Sequence, residues 1–153
     1  MRGDRPCLAS CTLTPACVVP SARRQGLNKA ARAVGGIYHW GQGAPIDYPR
    51  AMAAYKVGAE GGHAGSQWMV GSMYFIGQGV AVDYKQARLW IEKAAAQHDP
   101  DAVGQLGSMY SNGMGVTPSW RRARELYKRA IELGNSKAVK NMQNLTNDIQ
   151  NVS

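Results

Sequence analysis

Cysteine is scarce in the chain, and the three cysteines present, Cys7, Cys11 and Cys17, all lie near its N-terminus. The rest of the chain therefore has no disulfide to stabilise it. Three cysteines without a neighbouring histidine do not supply the four ligands of a structural zinc site. The sequence thus predicts no metal site, and no other motif in it indicates a cofactor.

Long apolar runs are also missing, since no stretch approaches the ~20 apolar residues of a membrane-spanning helix. Acidic residues are few, with 10 Asp and Glu against 18 Lys and Arg, a net charge of +8. The excess is uneven: residues 1–36 hold six basic residues and one acidic residue, a net of +5, so residues 37–153 carry only +3. A body with so small an excess is expected to have a mixed, solvated surface rather than a nucleic-acid-binding one.

Residues 1–28 show no helical or strand period, and Pro6, Pro15 and Pro20 interrupt any continuous element. Their Arg, Ser and Thr content and lack of acids are compatible with an organelle-targeting segment. The amphipathic helix typical of such segments is missing, so we favour a disordered basic arm. The compartment then stays unknown, with the cytoplasm expected, and import through the arm is the alternative.

What the chain does contain is an internal repeat. The segment 70–80, V-G-S-M-Y-F-I-G-Q-G-V, recurs 36 residues later at 106–116 and, more faintly, 36 residues earlier at 34–44. A period of this length is typical of stacked repeat proteins, in which neighbouring units cover each other's apolar faces. The register is kept by Gly35/Gly71/Gly107, Tyr38/Tyr74/Tyr110, Gly41/Gly77/Gly113 and Gly43/Gly79/Gly115.

Each unit is predicted to consist of two helices joined by a Gly-x-Gly turn, because glycine accepts the positive φ needed where a helix ends. Asp47, Asp83 and Ser119 precede the second helices, where a short side-chain oxygen can cap free N–H groups. Glycine ends these helices at two of three equivalent positions, with His98 at the third. The predicted first helices are 29–40, 65–76 and 101–112, the second helices are 48–61, 84–97 and 120–133, and a further helix covers 136–150.

The repeat resembles the Sel1-like repeat family, a relative of the tetratricopeptide repeats. The resemblance covers residues 29–150 and implies an all-α, right-handed α-solenoid of three helix-turn-helix units with a C-terminal capping helix. Units are expected at about 30–65, 66–101 and 102–137, with the capping part at 138–150. The second unit matches best, through Val70, Gly71, Tyr74, Gly77, Gly79, Val80, Asp83, Ala87, Trp90, Lys93, Ala94 and Ala95.

The resemblance also implies a non-catalytic protein–protein interaction module, an adaptor or scaffold for complex assembly that binds its partner on the concave face of the first helices. Helical spacing places one stripe of side chains on that face. Trp68 and Phe75 are the large apolar residues in it and are the proposed anchors for a peptide. The alternative is that both residues pack against a neighbouring helix or against the N-terminal arm. The predicted partner-binding residues are Arg32, His39, Trp68, Ser72, Phe75, Ser108, Ser111 and Lys140.

The last full second helix carries a basic outer face made of Arg121, Arg122, Arg124, Lys128 and Arg129. A solvated surface is the simpler interpretation, and a docking site for an acidic protein is the alternative. The interleaved aromatic residues of a single-strand nucleic-acid binder are not found there.

Two other functions stay open. One is an organelle-imported assembly factor, which depends on the arm. The other is a hydrolase accessory, which would need a nucleophile beside a base. No such motif occurs, so no catalytic residue is predicted, and the partner is expected to be a protein or peptide of unknown identity.

Overall fold

The computed structural model describes residues 21–151, and this part of the chain forms seven α-helices. Their order along the chain alternates first and second helices of the predicted units. The helices are α1 (Ser21–Trp40), α2 (Tyr48–Glu60), α3 (Ala64–Ile76), α4 (Tyr84–Ala96), α5 (Pro100–Asn112), α6 (Trp120–Glu132) and α7 (Ser136–Asn151).

Packing follows the order of the chain. α1 pairs with α2, α3 with α4 and α5 with α6, and each second helix then packs against the first helix of the next unit. α7 packs on α6 and touches α5. Residues 21–151 contain no strand, so the predicted all-α solenoid of repeated helix pairs is confirmed. None of these helices is both long and apolar enough to cross a membrane.

The predicted caps and turns set the helix ends. Asp47, Asp83 and Ser119 accept hydrogen bonds from backbone N–H groups in the first turns of α2, α4 and α6. Both glycines of each Gly-x-Gly turn have a positive φ, which L side chains rarely adopt. His98 takes the same left-handed conformation, with φ 62°, at the position where the other units have Gly62 and Gly134. The repeat therefore keeps the left-handed backbone conformation at this position even in the unit that has no glycine there.

The core consists of two clusters of buried side chains, each formed where one unit meets the next. Met52, Tyr55 and Ala59 of α2 pack against Met69, Val70 and Met73 of α3. In the other cluster, Ile91 and the alanines of α4 meet α5, which in turn packs on α6 and α7. Gly71, one of the glycines that keep the repeat register, allows α3 and α4 to approach closely, since a Cβ on it would lie 2.6 Å from Ile91 Cγ1.

The first unit departs from the prediction in two ways. α1 begins at Ser21, not at residue 29, so residues 21–28 of the predicted arm are helical; the rest of the arm, residues 1–20, lies outside the described part. Pro20 is followed by Ser21 and then by the helix-favouring residues Ala22 to Gln25. Ala30 and Val34, whose equivalents Ser66 and Val70 are buried, are exposed because none of the described helices packs against their side of α1.

His63 caps α3 through its ring, because its Nδ1 accepts a hydrogen bond from the Ser66 N–H at 3.1 Å. Burial lowers the pKa of His63 below its ordinary value of 6.5; Arg32 and Lys29 lower it further, and Asp99 opposes them. The folded protein therefore binds the proton less readily than the unfolded chain. This cap contributes its full stability above pH 6.5 and loses it as the pH falls through 6.5 towards the folded-state pKa.

Acidification is therefore expected to lower the melting temperature of the protein, and His63→Asn to reduce that loss. Asparagine caps a helix without titrating, and an N-cap contributes about 1 kcal/mol. Thermal unfolding of both proteins between neutral and mildly acidic pH checks this. His39, whose pKa burial also lowers, accounts for part of the remaining pH dependence. Equal pH dependence of the two proteins would contradict the role given to His63.

Candidate functional site

A groove of about 360 Å³ runs across the first helices of all units and across α7. We call it the first-helix groove. It is large enough for a side chain or a short segment of a partner, since ligand sites typically occupy about 300–1,000 Å³. Its walls are His39 and Trp40 from α1; Trp68, Met69, Ser72 and Ile76 from α3; Gln78 from the turn; Asp101, Gly104, Gln105 and Ser108 from α5; and Asn135, Lys137, Ala138 and Asn141 at α7.

The end of the groove formed by α1 and α3 is apolar and aromatic. Trp40 and Ile76 stand at its rim with 48% and 62% of their surfaces exposed, and Trp68 packs half-buried between the two core clusters. The Trp68 Nε1–H is buried and finds no hydrogen-bond acceptor in the described part of the chain. Exposed apolar side chains and a buried donor without an acceptor are thus grouped at this end of the groove.

His39 completes this apolar end. Its ring contacts Tyr48 and Tyr55 of α2 edge to face, with centroids 5.5 and 6.0 Å away. Burial lowers the pKa of His39. The imidazole is therefore neutral at physiological pH, and this end of the groove carries no charge from it.

The end of the groove formed by α5 and α7 is polar. Ser72 Oγ donates to Gln105 Oε1 at 2.8 Å and so ties α3 to α5. Ser108 Oγ accepts from the Tyr127 hydroxyl at 3.1 Å. Asp101 and Lys137 give this end one carboxylate and one ammonium group. Amide and hydroxyl groups of this kind fix the orientation of a bound segment rather than supply most of its binding energy.

Asn135 holds the polar end together. Its Nδ2 donates to the Pro100 carbonyl oxygen at 2.9 Å and to Asp101 Oδ1 at 3.3 Å. Its Oδ1 accepts from the Lys137 N–H at 3.0 Å and caps α7. One nearly buried side chain thus joins α7 to the start of α5.

The structure brings together half of the predicted partner-binding residues. His39, Trp68, Ser72 and Ser108 line the first-helix groove, whereas the other four do not. Phe75 packs edge to face against Tyr84 of its own second helix, with ring centroids 5.4 Å apart. The residues outside the groove are Arg32, Phe75, Ser111 and Lys140.

The groove-lining stripe on α3 is wider than predicted. The predicted stripe follows repeat positions 68, 72 and 75, whereas α3 lines the groove through positions 68, 69, 72 and 76. Phe75 turns towards Tyr84 of the second helix of its own unit, while His39, at the equivalent position of the first unit, still lines the groove. A stripe at i, i+3 and i+7 counted from Met69 would have found Ile76. The groove residues that the sequence reasoning missed include Trp40, Ile76, Asp101, Gln105, Asn135, Lys137 and Asn141.

The five residues of the predicted basic outer face are all exposed on α6. Arg122 lies over the Tyr110 ring, 5.6 Å from its centroid, and also donates to the Tyr110 hydroxyl. Arg129 Nη2 lies 2.7 Å from His98 Nδ1. The use of this face as an acidic docking site stays a prediction. The described residues hold no group of three or more His, Cys, Asp or Glu that could bind a metal ion.

Three comparisons relate the chain to known proteins. The Sel1 repeat family model matches residues 28–63, 64–99 and 100–135, three consecutive units without an insertion. No curated protein matches the chain. Three solved structures share the fold, and the first two given next belong to longer proteins.

A protective antigen of uropathogenic Escherichia coli with an SLR fold is 37% identical over 76% of this chain, with a TM-score of 0.71. A Sel1 repeat protein from Oxalobacter formigenes is 33% identical over 85% of this chain, with a TM-score of 0.69. The chain covers 25% and 50% of their respective lengths. Cysteine rich protein B of Helicobacter pylori, 20% identical over 76% of this chain and 95% of its own, shares the fold with a TM-score of 0.61.

Proposed function

Because this chain belongs to the Sel1 repeat family, whose members generally mediate protein–protein interactions, we propose that it is an adaptor or scaffold. Repeats of this family are typically interaction modules without catalytic activity. The proposed binding surface is the first-helix groove. The observation that supports it best is the half-buried Trp68 between the exposed side chains of Trp40 and Ile76.

The two ends of the groove indicate the kind of partner it fits. An extended protein segment would place a large apolar side chain against Trp68, Trp40 and Ile76, because burying such a side chain contributes about 1.5–3 kcal/mol. Its next residues would run towards α5 and α7, where Gln105 and Asn141 offer amide groups to a peptide backbone. Aromatic anchors in a pocket typically supply most of the affinity of such a contact.

Selection from a displayed library of random peptides on the full chain tests this proposal. We expect the selected peptides to share a large apolar residue. Ile76→Asp, which places a charge at the apolar end, is expected to weaken their binding by about tenfold or more, equivalent to 1.4 kcal/mol. The dissociation constants are measured by fluorescence anisotropy.

Leu89→Asp is the matched control, because Leu89 is also exposed, at 47%, but lies on α4 away from the groove. It is expected to bind the same peptides as the unmodified chain. Trp68→Ala should weaken binding at least as strongly as Ile76→Asp, with its melting temperature recorded because Trp68 also packs against the core. Peptides that bind all three variants equally would contradict the groove as the binding site.

A further inference from the structure

One side of α1 carries an exposed apolar stripe of Leu27, Ala30, Val34 and Ile37, which we call the α1 end face. The spacing of three, four and three residues places these side chains on one side of the helix. Leu27, Val34 and Ile37 are 50%, 43% and 38% exposed. Exposed apolar side chains that are grouped in this way, rather than scattered singly, are candidates for an interaction surface.

The repeat register shows what kind of element fits this face. The residues equivalent to Ala30, Val34 and Ile37 are Ser66, Val70 and Met73 in the second unit, all 0% exposed. Met52, Tyr55 and Ala59 of the preceding second helix, α2, cover that seam. In the third unit, α4 covers the equivalent Ala102, Leu106 and Met109 in the same way. The α1 end face therefore has the form of a helix-binding seam, and its natural occupant is an α-helix.

Charge distinguishes this seam from the two inside the array. α1 carries Arg23, Arg24, Lys29 and Arg32 and no acidic residue, whereas α3 has no charged residue and α5 only Asp101. Arg32 is turned towards Gly65 and Lys29 towards His63, both on the α3 side of α1. A helix that covers the α1 end face therefore meets the cations Arg23 and Arg24 at the N-terminal end of α1. Acidic residues on its flanks would be attracted to α1, and basic ones would be repelled.

The stretch before α1 is a poor sequence for such a helix. In the second-helix register it would span 12–24, but 21–24 already belong to α1, and Pro15 and Pro20 disfavour a helix in the rest. The second helices of another copy have the wrong charge. α2 has two basic residues and one acidic (+1), α4 three and one (+2), and α6 five and two (+3).

We propose that the α1 end face docks an amphipathic helix of another protein, with an apolar seam of mixed small and large residues and with acidic flanks. The helix would lie against α1 as α2 lies against α3. This surface uses other side chains than the first-helix groove, so the proposal goes beyond the proposed function and does not depend on it.

Two synthetic helical peptides test the proposal on the full chain. Both carry the apolar seam of α4, made of Ala87, Ile91, Ala94 and Ala95, and they differ only at the outward positions, which are Glu in one and Lys in the other. We expect the Glu peptide to bind about tenfold more tightly or better, and its advantage to shrink as salt is added. Affinities are measured by fluorescence anisotropy.

Val34→Asp is expected to weaken binding of the Glu peptide by about tenfold or more, since a buried carboxylate would replace an apolar contact. Val139→Asp is the matched control, because Val139 is 40% exposed on α7, at the other end of the array. It should leave binding unchanged. Ile76→Asp should also leave it unchanged, which separates this test from that of the groove.

Three results would overturn the proposal. The first is a Glu peptide that binds no better than the Lys peptide, or whose binding Val34→Asp does not weaken. The second is dimerisation of the chain, seen by sedimentation, that Val34→Asp abolishes, since this would assign the face to a second copy. The third is binding to phosphatidylserine vesicles that Val34→Asp abolishes, since this would assign it to a membrane surface.

Discussion

Gly71→Val is expected to lower the free energy of unfolding by about 3 kcal/mol or more, a large part of the stability of a small domain. A Cβ on Gly71 would lie 2.6 Å from Ile91 Cγ1, 3.0 Å from the Ala87 carbonyl oxygen and 3.2 Å from the Ile91 nitrogen. Two of these three neighbours are backbone atoms, so a change of rotamer does not relieve the contact. α3 and α4 would have to move apart, and this would disrupt the central unit of the array.

Gly26→Val is the matched control, because Gly26 also lies inside a helix and nothing stands within 4 Å of a Cβ built on it. It is expected to change stability by only about 0.5 kcal/mol, the usual range for a surface substitution. Urea denaturation followed by circular dichroism gives both values. Equal stability of the two variants would show that α3 and α4 are not packed as closely as the structure places them.

Asn135→Ala is expected to cost about 3 kcal/mol. It removes an N-cap, which contributes about 1 kcal/mol, and leaves the partly buried Pro100 carbonyl oxygen without its side-chain donor, which costs about 1–3 kcal/mol. Because Asn135 joins α7 to the start of α5, the loss should appear first as opening of α7. Hydrogen exchange of the α7 amides, measured beside urea denaturation, locates the effect.

Ser119→Ala is the appropriate comparison, since Ser119 caps α6 but makes only a local hydrogen bond of 3.4 Å to the Arg122 N–H. It should cost about 1 kcal/mol or less. A loss at Asn135 no larger than the loss at Ser119 would mean that the bridge to α5 adds nothing to the cap. Unchanged exchange of the α7 amides in Asn135→Ala would lead to the same conclusion.

The interior helix ends are within about one residue of the positions predicted from the sequence. They depend on local requirements that the sequence displays directly, a side-chain oxygen before the helix and a glycine after it. Asp83 and Gly77 show this for the central unit. The start of α1 was predicted wrongly because the repeat pattern is missing there. Pro20 and the helix-favouring residues after it allow the helix to begin earlier than the repeat does.

The groove was harder to predict than the helices. Trp68 and Ser72 were found because they lie on the exposed side of their helix, but Phe75 was placed there too and instead packs on Tyr84. A helical period gives the relative positions of side chains on one helix. It does not give the angle at which that helix is turned towards its neighbours, which follows from how the second helices pack.

By itself, the sequence determined the number of units, their register and the interior helix ends, because glycine turns and caps act over a few residues and recur every 36. Only the tertiary structure decided which side chains meet. Val34 and Val70 occupy the same repeat position, yet one is 43% exposed and the other 0%. The helix that precedes α3 covers Val70, whereas none of the described helices covers Val34. The burial of a side chain depends on the elements packed around it and not on the residue type alone.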